Sequence, residues 1–271
     1  MDILYLCEKI KLQPEIKKQV EVFIKDFDFK KIDEIQQAYF VREKMQSAFS
    51  QVQEVLGNDE NGIKTLACML QASVNAYKTY KQKGIDEEIF FDTMKVYTRF
   101  IDETYLQKGT LSFDRGWWTI RQAGCHLFRL GELEYETVFD ENQLSVYMHI
   151  PSDARILPQS VDASLEQARS FIKKQYPKAE KWDFYCHSWL LDSQLKEFLN
   201  EKSNIVSFQN RFEVIDDSMV DSNINKWLFN TASTDYNTFC ENTSLQKNVK
   251  RHLLAGGVIK CVKGKLKNRL D

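Results

Sequence analysis

The sequence predicts an α+β chain in two parts, an all-helical N-terminal bundle over 1–113 followed by a mixed-sheet α/β domain over 114–271. Three observations predict it. Apolar residues recur every three or four positions through the first part. Beyond Gly116-Trp117-Trp118 the period falls toward two, and strand-length segments alternate with helix-length ones. Finally, 271 residues exceed what one compact core usually fills.

In the first part, Ile35, Tyr39, Met45, Phe49, Val52 and Leu56 share one helical face. Ile63, Leu66, Ala67, Leu70, Val74 and Tyr77 repeat the spacing, as do Phe90, Met94, Tyr97, Ile101 and Tyr105. Asn-Asp-Glu-Asn-Gly at 58–62 and Lys-Gly at 83–84 break these runs, each placing glycine just past a helix end. Shorter helices over 3–11 and 14–27, the second opened by Pro14, complete a bundle of about five. In the second part, 126–136, 144–150, 182–188, 205–215 and 258–266 read as strands. Ser160 reads as the N-cap of a helix running to Tyr176, where Pro177 stops it, and shorter helices fit 192–199 and 244–254.

Composition excludes several functions. With 37 basic and 39 acidic residues the formal charge is -2, so the chain lacks the global positive field of a nucleic-acid binder. No stretch reaches the 18 or so apolar residues of a membrane span, and the start Met1-Asp2-Ile3-Leu4 has no basic leader region, which points to the cytoplasm. Six cysteines without a CxxC pair read as reduced, mostly buried thiols. Between Gly131 and Gly256 there is no glycine, and phosphate-cradling and nucleophile-elbow loops need one for positive φ and close approach.

Five segments occur in order: Trp118-Thr119-Ile120-Arg121-Gln122; Phe128-Arg129-Leu130-Gly131-Glu132-Leu133-Glu134-Tyr135-Glu136; Met148-His149-Ile150-Pro151-Ser152; Cys186-His187-Ser188-Trp189-Leu190-Leu191; and Ser203-Asn204-Ile205-Val206-Ser207-Phe208-Gln209-Asn210-Arg211-Phe212. Together they make the chain resemble a bacterial two-domain family with an N-acyltransferase-type helical domain and a GNAT-like C-terminal domain, over nearly its whole length. The resemblance implies transfer of an acyl group from acyl-CoA or acetyl-CoA to an amine on a small-molecule acceptor, with the helical domain shaping the acceptor pocket. In such folds the pantetheine arm enters where two adjacent parallel strands splay, here near His149. The pyrophosphate lies on a glycine-containing loop ahead of a helix; the equivalent loop here, 151–160, has two prolines and no glycine. On that likeness Ile150, Ser152, Arg155 and Ser160 become cofactor contacts, with Tyr147, Trp189 and Arg211 toward the acceptor.

The residues themselves offer chemistry at two histidines. His149 ends its strand on the face of Ser145 and Tyr147, and His187 ends another beside Tyr185. If the strands are neighbours, both imidazoles converge at the C-terminal ends, where one can take a proton from an attacking amine. The bland alternative is a satisfied structural histidine. Glu134 and Glu136 share one strand face, either as base or tautomer-fixing partner, or as a solvated face. No metal is expected, since HxH and HxxxH spacings are absent. Cys186 and Ser188 point away from His187, so Cys186 reads as a buried thiol rather than a nucleophile. Arg211 suits an anion clamp. Eight Lys or Arg between Lys247 and the C-terminus read as protection of a sheet edge, with a phosphorylated ligand as the alternative, and the five tryptophans read as core or interdomain packing rather than ligand platforms. A second reading of the whole stays open, a non-catalytic ligand- or protein-binding module that kept the sheet and lost the cofactor loop; a weaker third is a hydrolase on the same histidines. Oligomeric state is not legible.

Overall fold

The three-four spacing of the first part folds into eight α-helices among the described residues: α1 (Ile3–Lys9), α2 (Pro14–Asp26), α3 (Lys30–Gln37), α4 (Arg42–Leu56), α5 (Ile63–Gln82), α6 (Glu87–Met94), α7 (Val96–Lys108) and α8 (Gly116–Ala123). A short strand β1 (Leu127–Leu130) follows. The computed structural model describes residues 1–140, 143–179 and 181–267. They form two compact units, Met1–Leu130 and Gly131–Asp271.

In the first unit α5 is the central helix. Leu66, Ala67, Cys68, Met69 and Leu70 are all fully buried, so this helix is apolar around most of its circumference rather than along one stripe. Each fully buried Leu or Phe here, Phe90 included, contributes about 1.5–3 kcal/mol. Two polar contacts run through this core: Gln36 Nε2 donates to the Cys68 carbonyl at 2.8 Å, and the Tyr97 and Ser73 hydroxyls pair at 2.8 Å.

The expected five helices become seven because two long runs are broken, and α8, which lies beyond them, makes eight. The run over 35–56 is interrupted by a 3-10 turn at Ala38–Phe40, and the run over 90–105 by Lys95, which separates α6 from α7. Apolar spacing survives both breaks, so periodicity alone does not reveal them. Trp117 and Trp118 open α8 rather than the strand region, and Trp117 is 47% exposed, as is Trp227 at 48%, against the expectation of packed tryptophans.

The second unit contains β2 (Leu133–Asp140), β3 (Gln143–His149), α9 (Pro158–Gln175), β4 (Trp182–Ser188), α10 (Leu195–Phe198), α11 (Asn204–Gln209), β5 (Phe212–Val220), α12 (Ile224–Phe229), α13 (Ser244–Leu254) and β6 (Lys260–Leu266). Its strands lie in the order β2-β3-β4-β6-β5. Only β3 and β4 are parallel, joined by the crossover helix α9, and every other neighbour pair is antiparallel. This is the mixed sheet the sequence predicts.

Burial alternates along these strands. Leu144, Val146, Met148, Phe184, Cys186, Val262 and Leu266 are buried on one face. There α9 packs across β2: the Ser164 hydroxyl accepts from Leu133 N at 3.2 Å and pairs with the Tyr135 hydroxyl at 2.9 Å. The opposite face carries the polar residues described below. A separate apolar cluster of Leu195, Ile224, Phe229, Phe239, Val249, Leu253 and Ile259 holds α10, α12 and α13 together, with Trp189 packed against it.

Several expected elements shift. The run 126–136, read as one strand, is two, β1 and β2, separated by the Gly131-Glu132 turn. The run 205–215 is not a strand throughout: Ser203 accepts from Val206 N at 3.2 Å, capping α11, and only from Phe212 does the chain extend as β5. Ser160 is not an N-cap, because α9 begins two residues earlier with Pro158 in its first turn and Leu157 as the cap. The helix expected over 192–199 is reduced to α10, and α12 was not expected. The basic strand β6 is internal, with β5 at the edge, so its lysines do not protect a sheet edge. Arg269, from the same basic run, lies outside the described residues.

Candidate active site

The polar face of the sheet gathers side chains from four strands. On β2, Glu134 and Glu136 point to this face and are 2% and 5% exposed. The register sets Glu134 opposite His149 and Glu136 opposite Tyr147 on β3. Tyr147 in turn faces Tyr185 on β4, their ring centroids 5.7 Å apart. His187, two residues on, faces Lys263 on β6. Both histidines therefore lie on one face of neighbouring strands, as the alternation predicted.

His149 Nε2 lies 2.9 Å from Glu136 Oε2, a diagonal contact across the β2–β3 ladder. The carboxylate is buried and the imidazole 25% exposed in its side chain, so the ring is held at Nε2 without being sealed from solvent. With Nε2–H donating to the carboxylate, the neutral tautomer carries its lone pair on Nδ1. His187 differs: it is exposed, Lys263 lies across the ladder from it, and the carboxylates of Asp216 and Asp221 interact with it electrostatically.

The β3–β4 ladder pairs as far as Met148 with Cys186. There β3 ends at His149, while β4 continues through Ser188 against Val262 of β6. His149 thus stands where the two parallel strands cease to pair.

The loop from β3 to α9 turns at Pro151–Ala154, closed by Ala154 N donating to the Pro151 carbonyl at 2.9 Å. Ile150 is half-buried and Ser152 exposed. The Glu132 carboxylate accepts from the backbone N–H of Arg155 and, at 2.9 Å, of Ile156. Ser160 sits in the first turn of α9, where backbone N–H groups have no intrahelical acceptor. Arg211 does not stand open as a clamp: its guanidinium is engaged by the Asp162 carboxylate and by the Pro158 carbonyl at 3.1 Å, tying β5 to the start of α9.

Cys186 lies on the apolar face, away from His187, and burial pushes its thiol upward. Burial likewise pushes Cys7, Cys68 and Cys125 up to about 12. No cysteine is in a disulfide. Burial also pushes Cys261 up to about 11, so alkylation of the folded protein near pH 8, read by mass spectrometry, is expected first at the half-buried Cys240, more slowly at Cys261, and at the other four only when the chain is unfolded. Rapid modification of Cys186 in the folded protein would contradict its placement.

Two family models cover the chain: an N-acyltransferase N-terminal domain matches residues 1–125 and a GNAT-like C-terminal domain matches residues 127–266. The chain belongs to this two-domain N-acyltransferase, GNAT-like family. Among solved structures it is similar to an acyltransferase in complex with decanoyl-CoA and teicoplanin, at 20% identity and a TM-score of 0.79, covering 97% of this chain and 86% of the other. An acyltransferase with CoA and 10C-teicoplanin gives the same values. A mutant acyltransferase with octanoyl-CoA matches at 19% identity and TM-score 0.79, again over 97% and 86%. At such identities the likeness establishes the fold. No curated protein matches the sequence.

Within the family fold, the sequence reading located the His149 face and the loop ahead of α9. It did not foresee Lys263 beside His187, because the order β4-β6 is a long-range pairing with no local signal, nor the seat of Glu132 on the 155–156 backbone. Among the described residues no group of three or more His, Cys, Asp and Glu side chains is placed to hold a metal ion, and no helix is long and apolar enough to cross a membrane.

Proposed function

We propose that the protein is an N-acyltransferase that moves an acyl group from an acyl-CoA to an amine, with His149 as general base and Glu136 as its positioning carboxylate. The observation that carries this reading is the His149–Glu136 contact of 2.9 Å at the point where the parallel strands β3 and β4 stop pairing. His149 Nδ1 takes a proton from the amine as its nitrogen bonds to the thioester carbonyl carbon; the C–S bond breaks, and the departing sulfur takes up a proton to leave as CoA thiol. Glu136 fixes the tautomer and balances the imidazolium charge. Glu134, opposite His149 in the register, assists in the same way, and exposed His187 has a lesser part.

Residues 150–160 and the first turn of α9 are the proposed seat of the cofactor phosphates. The turn at 151–154 and the first-turn N–H groups of α9, at Ser160 and its neighbours, supply donors in a favourable dipole, and Ile150 and Ser152 flank them. The Arg155 side chain adds a positive charge, although its backbone N–H is already taken by Glu132. Tyr147 lines the acceptor side. Trp189, packed on the α10–α13 cluster, and Arg211, held by Asp162, act by supporting that frame. The unpaired thiols suit the reducing bacterial cytoplasm as its setting.

The test is ligand-dependent stability. Acetyl-, octanoyl- and decanoyl-CoA at about 100 times their Kd are expected to stabilise the fold by about 2.7 kcal/mol, read as a rise in the thermal unfolding midpoint. No rise with any acyl-CoA at millimolar concentration would remove the reading and leave the binding module in its place.

A further inference from the structure

Three lysines on β6 have different surroundings. Lys260 Nζ pairs with Asp217 at 2.8 Å and Lys265 Nζ with Asp183 at 2.9 Å. Lys263 lies between them in sequence, and no ion pair holds it among the described residues. Its ammonium instead lies 5.5 Å from the ring centroid of Tyr185 and 5.9 Å from that of Tyr147. Asp216, its register partner on β5, turns its carboxylate back onto Ser218 N at 2.9 Å. Because β6 is an internal strand, edge protection does not explain this cation. It is a half-buried positive charge seated on two aromatic faces, with Asp216 across the ladder near enough to feel it but not in ion-pair contact.

Its position gives it a use. Tyr147 and His149 are two residues apart on one face of β3, a separation of roughly 6.6 Å along the strand. The ammonium over Tyr147 is thus one side chain away from the His149–Glu136 pair. The phosphate-holding loop lies elsewhere, at the start of α9.

We propose that Lys263, with Tyr147 and Tyr185 beneath it, binds a carboxylate on the acyl acceptor, so that the acceptor is an amino acid whose own amine faces His149. This rests on the acyl-transfer reading above and names the substrate class for it. One ammonium balances one carboxylate, and the two rings offer apolar surface to the acceptor's side chain beside the amine that faces His149. The bond made is the amide of the amino acid, the bond broken is the thioester, and the amine proton goes to His149.

The experiment uses the full chain with decanoyl-CoA or acetyl-CoA and matched acceptors: phenylalanine with phenethylamine, tyrosine with tyramine, tryptophan with tryptamine. Release of CoA thiol gives kcat/KM for each. The carboxylated member of each pair is expected to be favoured at least tenfold. Lys263→Met should erase that preference by raising KM for the amino acid at least tenfold while KM for the acyl-CoA stays fixed, and Lys263→Arg should retain it. Equal use of the decarboxylated amines overturns the proposal, as does a Lys263→Met variant whose KM rises for acyl-CoA instead. Acyl-CoA stabilisation without turnover of either set also overturns it and leaves cofactor binding standing. If no acyl-CoA stabilises the protein, the failure belongs to the acyl-transfer reading itself.

Discussion

His149→Ala is expected to lower kcat for acyl transfer by about 100- to 10,000-fold, the usual contribution of a positioned general base. KM for the acyl-CoA and the unfolding midpoint should change little, since the imidazole is partly exposed and is not a core side chain. Exogenous imidazole should restore part of the rate to the alanine variant, which a merely structural histidine would not allow. Glu136→Gln separates positioning from base chemistry. The amide keeps an acceptor for Nε2–H but loses the charge that stabilises the imidazolium, so kcat should fall about tenfold with acyl-CoA affinity retained. His187→Ala is expected to change kcat by less than about tenfold, because that ring is exposed and, among the described residues, no carboxylate holds it as Glu136 holds His149. A His187→Ala loss equal to that of His149→Ala would move the base to β4 and refute the assignment made from the 2.9 Å contact.

What the sequence revealed of this arrangement follows the range of the signals involved. Alternation along 144–150 and 182–188 is local, and it put His149 with Tyr147 on one face of their strand and His187 with Tyr185 on one face of theirs, because a strand of period two leaves no other option. Pairing partners are not local. Nothing in 258–266 says that this strand slots between β4 and β5, so its lysines read as edge protection when Lys263 in fact lies across from His187. Helix and strand propensity also competed at 204–209: Ile205, Val206 and Phe208 are strand formers by composition, yet the Ser203 cap and burial of Val206 and Phe208 favour a helix. Arg211 illustrates the same limit for sites. Its chemistry suits an anion, and only the fold shows that Asp162, 49 residues earlier, already supplies one.

The stability change expected to be largest is Gly62→Ala. Gly62 takes φ 68° and ψ 18° at the entry to α5, where the sequence reading had assigned it to the end of the preceding helix. Left-handed backbone costs a non-glycine residue about 1–2 kcal/mol. The added Cβ would also fall 1.7 Å from the Phe113 carbonyl oxygen and 2.8 Å from its carbon, both backbone atoms that cannot swing aside as a side chain can. Phe113 N donates to the Asn61 carbonyl at 3.0 Å, and its ring is buried beside Tyr97, so moving this backbone loosens a hydrogen bond and a core aromatic together. The same loop caps α5: Asp59 accepts from Lys64 N at 3.1 Å and Thr65 N at 2.7 Å. We expect a loss of at least about 3 kcal/mol in denaturant unfolding, the sum of the conformational cost and the displaced contacts. Gly109 supplies the control, because it has φ 71° and ψ 7° at the end of α7 but nothing within 4 Å of an added Cβ. Gly109→Ala should therefore lose only the conformational cost of about 1–2 kcal/mol. The difference between the two variants measures the contact with Phe113, and equal losses would mean that the 57–62 loop yields to the extra methyl rather than being locked against residue 113.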